Sequence, residues 1–134
     1  MPTVVLDTNC IIDYFLKRPG YLQVRHYFEQ AIDKKINIYL PLAVILELEW
    51  TLRRFYKLPK TQIITLLGDL LLLPNCLVRE KYRLLRALRL YGDSNNVSFD
   101  DCIIALEAKD LKCDGLITSD TNLKKLYRTL GKFG

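Results

Sequence analysis

Short apolar, β-branched runs alternate along this chain with longer stretches in which apolar residues recur at helical spacing. That alternation predicts βαβ units around a mostly parallel sheet. Strands are expected near Thr3–Leu6, Ile36–Leu40, Cys76–Arg79 and Gly115–Thr118. Helices are expected near Cys10–Leu16, Leu22–Lys34, Leu42–Tyr56, Thr61–Leu73, Lys81–Tyr91, Phe99–Leu111 and Asn122–Tyr127. Pro19-Gly20, Pro59, Pro74-Asn75 and the Gly92-Asp93-Ser94-Asn95-Asn96 stretch punctuate them. The tail from Leu130 to Gly134 reads as a stunted fifth strand. No repeat, linker or low-complexity segment interrupts the pattern. The expectation is one α/β domain over residues 1–134, a three-layer α/β/α sandwich with a mostly parallel four- or five-stranded sheet.

Composition narrows the class. With 134 residues, half of them hydrophobic and 26% charged, the chain has the profile of a soluble globular domain large enough for one substantial core. The most apolar stretch, Ile63 to Leu73, is broken by Gly68 and Asp69 and falls short of the ~18 residues a membrane span needs. Met1-Pro2 runs straight into the first strand without a basic, apolar and cleavage-site sequence, so a cytoplasmic location is expected. Cys10, Cys76, Cys102 and Cys113 form no CxxC pair and share the chain with a single histidine, His26, which argues against a zinc site. They are expected to be reduced and mostly buried. The net charge of +5 gives weak support for a polyanionic partner.

The candidate chemistry is acidic. Asp7 ends the first predicted strand, and Asp120 follows the last one. In a parallel sheet, reactive groups collect in the crevice at the carboxyl ends of the strands. Carboxylates gathered there repel one another unless a cation lies between them, so clustering would imply a hard divalent metal and phosphate chemistry. Each acid also has a structural reading. Asn9 is better placed than Asp7 to cap a helix opening near Cys10. Ser98-Phe99-Asp100-Asp101 reads as a capping box with Ser98 at N-cap and Asp101 at N3. Asp120 can start the last helix, with Lys124 four residues on as an ion-pair partner. On the Leu42–Tyr56 helix both Glu47 and Glu49 flank the apolar stripe, and periodicity does not choose between them. Glu49 has Arg53 at i+4 for a surface ion pair; Glu47 has no local cation and is the acid left needing a partner.

Asp7-Thr8-Asn9 after the first strand, Pro41 followed six residues later by Glu47, Phe99-Asp100-Asp101 opening a helix, and Thr118-Ser119-Asp120 after a strand together resemble the PIN-domain nuclease family, most closely VapC-type toxins of toxin-antitoxin pairs. The likeness covers nearly the whole chain, with four motifs in register. It implies an acidic tetrad at Asp7, Glu47, Asp101 and Asp120, with Asn9 and Thr118 as supporting polar residues. Asp100 precedes the third position and is an alternative ligand there.

The resemblance implies metal-dependent endoribonuclease chemistry. Oxygen donors without histidine or thiolate suit Mg²⁺ or Mn²⁺. One or two such ions held by the tetrad would activate water and stabilise the departing 3′-oxygen, leaving 5′-phosphate and 3′-hydroxyl ends. RNA would then be the substrate, a cognate antitoxin protein the partner, and a homodimer the assembly, with no membrane involvement. Arg53, Arg54 and Lys57 on one helix, Arg79, Lys81, Arg83, Arg86 and Arg89 around another, and Lys124, Lys125 and Arg128 near the end are candidate phosphate contacts. The alternatives are a PIN-domain ribonuclease of RNA processing or quality control, and an RNA-binding module without catalysis.

Overall fold

A computed structural model describes residues 1–131. The chain is an α/β protein whose contacts divide it into two compact units, residues 1–81 and residues 82–134.

The first unit carries the sheet. Three short strands, β1 (Thr3–Val5), β2 (Asn37–Tyr39) and β3 (Cys76–Leu77), pair in parallel in the order β1-β2-β3. Val4 stands opposite Ile38, and Ile38 opposite Cys76. Helices fill the crossovers, as parallel pairing requires: α1 (Thr8–Phe15) and α2 (Tyr21–Ile32) between β1 and β2, then α3 (Leu42–Arg54) and α4 (Lys60–Leu71) between β2 and β3. α1 packs on α2 and α3, and α3 packs on α4. The side chains that bring them together are fully buried: Ile11 and Ile12 from α1, Ile38 from the middle strand and Leu40 just after it, Ile45, Leu48 and Leu52 from α3, Ile63, Leu67 and Leu71 from α4. Tyr14 meets Phe28 edge-on at 4.7 Å, fastening α1 to α2.

α5 (Lys81–Asp93) opens at the boundary and continues into the second unit, which also holds α6 (Phe99–Asp110) and α7 (Thr121–Leu130). α6 packs on α7. Arg83 and Arg86 of α5 reach Asp110 at the end of α6, at 2.9 and 3.0 Å.

Three helices stop in the same way. At the ends of α1, α2 and α6 the residue after the C-cap, Lys17, Lys34 and Lys112, adopts φ of 52°, 61° and 55°. The next residue's N–H then reaches back five positions, from Arg18 to Asp13 O at 2.9 Å, Lys35 to Gln30 O at 2.9 Å and Cys113 to Ala108 O at 3.0 Å. This is the Schellman stop, with lysine where glycine is the usual occupant.

Several expectations are corrected. Gly115–Thr118 is not paired as a fourth strand; it runs as irregular chain, with Ile117 97% exposed. Its two β-branched residues suit a strand, yet the segment offers no apolar face that the structure buries. The expected fifth strand begins on residues that instead end a helix, since Leu130 closes α7 and Gly131 is its C-cap. The rest of that segment lies outside the described residues. The cysteines are free, but only Cys76 and Cys102 are buried, and Cys113 is exposed. No helix among the described residues is long and apolar enough to cross a membrane.

Candidate active site

Asp7 follows the first strand and begins α1 itself. Its Oδ1 accepts the Cys10 N–H at 3.1 Å, which makes it the N-cap and starts the helix at Thr8. The expectation that Asn9 caps a helix opening near Cys10 is therefore corrected. Asp7 has the extended backbone (φ −85°, ψ 173°) that puts a short carboxylate over the first free N–H groups, whereas Asn9 is already inside the helix. That N–H, followed by a bond from the Cys10 thiol, holds the Asp7 carboxyl below its ordinary range. The same thiol is pushed up by its bond to Asp7. Asp7 and Asn9 are both exposed, and Thr8 between them is buried.

α3 separates its two acids. Glu49 is 1% exposed and binds Arg53 through both carboxylate oxygens, at 2.6 and 3.3 Å. The expected surface ion pair is thus a buried one. Its position beside Ile45, Leu48 and Leu52 on the inward face is what draws it in, and the forked guanidinium is what makes burial tolerable. Glu47 points outward, exposed, with no hydrogen bond or ion pair among the described residues.

In the second unit, α6 opens on the capping box expected from its sequence. Ser98 Oγ accepts the Asp101 N–H at 3.0 Å, and Asp101 Oδ2 accepts the Ser98 N–H at 3.2 Å. Asp101 is half-buried, while Asp100 beside it is exposed. Asp120 is the N-cap of α7, with Oδ1 accepting from Asn122 and Leu123 N–H at 2.9 and 3.1 Å. Thr118 Oγ1 accepts the Asp120 N–H at 3.0 Å, so Thr118 supports Asp120 through its backbone. The expected Asp120–Lys124 side-chain ion pair is not formed; Lys124 meets Asp120 only through the helix's backbone bond.

Capping and ligation do not exclude each other here. Asp101 engages one oxygen with its helix start and Asp120 likewise, and the second oxygen of each has no hydrogen bond among the described residues. The four expected ligands would offer carboxylate oxygens alone, a set that suits a hard divalent cation better than a soft one. Among the described residues no three His, Cys, Asp or Glu side chains are gathered closely enough to hold a metal ion.

The candidate RNA contacts divide by what already holds them. Arg53 is committed to Glu49, and Arg86 shares Asp110 with Arg83. These contacts hold the Asp110 carboxyl below its ordinary range, Arg86 most strongly and Arg83 next. Arg54 and Lys57 are exposed and have no partner among the described residues.

The PIN domain family model matches residues 4–129, and the chain belongs to the PIN domain family. It is also similar to the VapC ribonuclease of Aquifex aeolicus (strain VF5), at 24% identity over 131 residues, 96% of each chain. No solved structure matches it.

Proposed function

We propose that this protein is an Mg²⁺- or Mn²⁺-dependent endoribonuclease, the toxin of a toxin-antitoxin pair, working as one domain on RNA with Asp7, Glu47, Asp101 and Asp120 as metal ligands. The observation that carries this reading is the state of the four acids. Asp7, Asp101 and Asp120 are each held by a helix start, and Glu47 is an exposed carboxylate without a partner among the described residues. Family membership across residues 4–129 and the similarity to a VapC ribonuclease support the same assignment.

A divalent cation held by these carboxylates would supply the Lewis acid that activates water and stabilises the leaving oxygen. The chain's own part is positioning. Backbone N–H groups hold the three aspartates, and Thr118 steadies the backbone of Asp120. Carboxylates repel RNA, so cations outside the tetrad must bind it, and Arg54 and Lys57 are the two candidates on or beside α3 that have no partner among the described residues. A cognate antitoxin and a homodimer complete the proposal, on the strength of the resemblance to VapC-type toxins.

The test is cleavage of RNA by the purified chain with Mg²⁺ or Mn²⁺, abolished by excess chelator and by Asp120→Asn. Cleavage undiminished in chelator overturns the metal mechanism. An active nuclease whose expression leaves a bacterial host unharmed overturns the toxin assignment.

A further inference from the structure

α3 presents an unusual outer face. Ile45, Leu48, Glu49 and Leu52 are buried, while Ala43, Glu47, Trp50 and Arg54 are exposed at spacing i, i+4, i+7 and i+11, which is one continuous stripe of a helix. Trp50 is 56% exposed. Glu47 and Arg54, on either side of it, have no hydrogen bond or ion pair among the described residues. At 1.5 Å of rise per residue, Trp50 lies about 4.5 Å along the helix axis from Glu47, and Arg54 about 6 Å beyond that. Lys57 follows just past the helix end, also exposed and without a partner among the described residues. A lone exposed indole would carry no argument. Here it lies on one helix face between an acid and a cation, Glu47 and Arg54, neither of which has a partner among the described residues.

We infer that this stripe is a subsite for single-stranded RNA, in which Trp50 stacks on one unpaired base and Arg54 contacts a phosphate beside it. The chemistry of the stripe selects that occupant. An aromatic plane with an exposed cation one helical turn away suits a strand whose bases offer open faces and whose backbone is anionic. A duplex keeps its bases stacked on one another and has no face to offer the indole. Glu47 alone opposes a polyanion, which places the strand on the Arg54 side of Trp50 unless a cation offsets that charge. The inference rests on the ribonuclease reading and adds to it a stacking position on α3, Trp50, that would set where one base of the strand sits.

Trp50 is the only tryptophan of the chain, so its fluorescence reports this stripe alone. The experiment titrates a short labelled oligoribonucleotide into the full chain, in chelator and again with Mn²⁺ and Asp120→Asn to prevent cutting. RNA anisotropy and tryptophan emission are read together. The expected result is binding accompanied by quenching at the same midpoint. Trp50→Ala is expected to weaken binding roughly 5- to 100-fold, the range of one stacked base, and Trp50→Phe to restore most of it. One abasic position in the oligonucleotide should cost wild type as much as Trp50→Ala costs on intact RNA, with no further loss when the two are combined. Arg54→Ala should lower the slope of log affinity against log salt by about 0.7. In turnover with Mn²⁺, Trp50→Ala should act on KM and leave kcat nearly unchanged.

RNA binding with unaltered emission and no effect of Trp50→Ala overturns the subsite while leaving the ribonuclease reading intact. Emission that follows protein concentration instead of RNA makes the stripe a contact between copies of this chain and also overturns it. Absence of both RNA binding and cleavage, with and without Mn²⁺, overturns the inference and the ribonuclease reading together.

Discussion

Glu49 and Glu47 are two residues apart on α3, and the difference between them is a matter of helix phase. Glu49 falls on the buried side and is held by Arg53 at 2.6 Å; Glu47 faces out, with no partner among the described residues. Substitution should therefore separate stability from activity. Glu49→Gln loses a charge-assisted pair in a buried setting, discounted because the Arg53 side chain is 34% exposed, so a stability loss of about 2 kcal/mol is expected. On the proposed role, Glu47→Gln should abolish RNA cleavage while stability stays within about 0.5 kcal/mol of wild type. Denaturant melts and single-turnover cleavage of both variants check this, and equal activity loss would return the two acids to equivalence. The absence of a cation at the local offsets of Glu47 was legible in the sequence. The burial of Glu49 was not, because i+4 pairing with Arg53 is equally compatible with an exposed face and a buried one. Asp7 shows a similar limit, since Asp7 and Asn9 are both competent cappers and only backbone dihedrals decide which one sits outside the helix.

Among the elements, the ion pairs joining α5 to α6 give the fold a defined response to acid. Asp110 has its folded pKa depressed by Arg86 and Arg83. A depressed carboxyl adds stability above its unfolded pKa and loses it as pH falls through the folded value. Stability should thus be flat near neutrality and fall below about pH 4, where unfolded aspartates take up protons. Asp110→Asn is expected to cost about 1 kcal/mol at pH 7 and to flatten that acid limb, as melts across pH 3 to 7 would show. The helix stops offer a second test. Lys34→Gly relieves left-handed strain of ~1–2 kcal/mol, opposed by loss of a cation near the helix terminus worth ~0.3–1 kcal/mol and by the added freedom of glycine in the unfolded chain. A small net gain, below about 1 kcal/mol, is expected on thermal melting, whereas Lys34→Val at the same φ should be destabilising. Helices were the most legible elements, since each has an apolar face repeated over several turns. The β-prone stretch at Gly115–Thr118 is four residues with no alternation to read, and β propensity measures fit to neighbours that a sequence does not specify.

For the whole molecule, the family match runs through both units, from residue 4 to residue 129, and we expect them to unfold together as one domain. Two buried thiols report this, one in each unit. Cys76 sits on β3, where burial pushes its pKa to about 11, and Cys102 lies inside α6. Neither should react with a thiol reagent in the native state, and both should become reactive across the same denaturant range, long after exposed Cys113. Two separated ranges would show that the units unfold independently. The acidic set as a whole could be read only through its resemblance to a family, because no spacing in one chain states which distant residues share a task.

Asp7, Asp101 and Asp120 are each aimed by the first turn of a helix, and that dependence bears on the life of the chain before it is folded. A helix start exists only after its first turn has nucleated, and nucleation is unfavourable without tertiary support. On the proposed role, a chain still emerging from the ribosome holds its carboxylates on disordered backbone and is harmless to the RNA that surrounds it. Its toxicity would be armed by folding itself, with the start of α7 at Asp120 the last of the three safety catches to release.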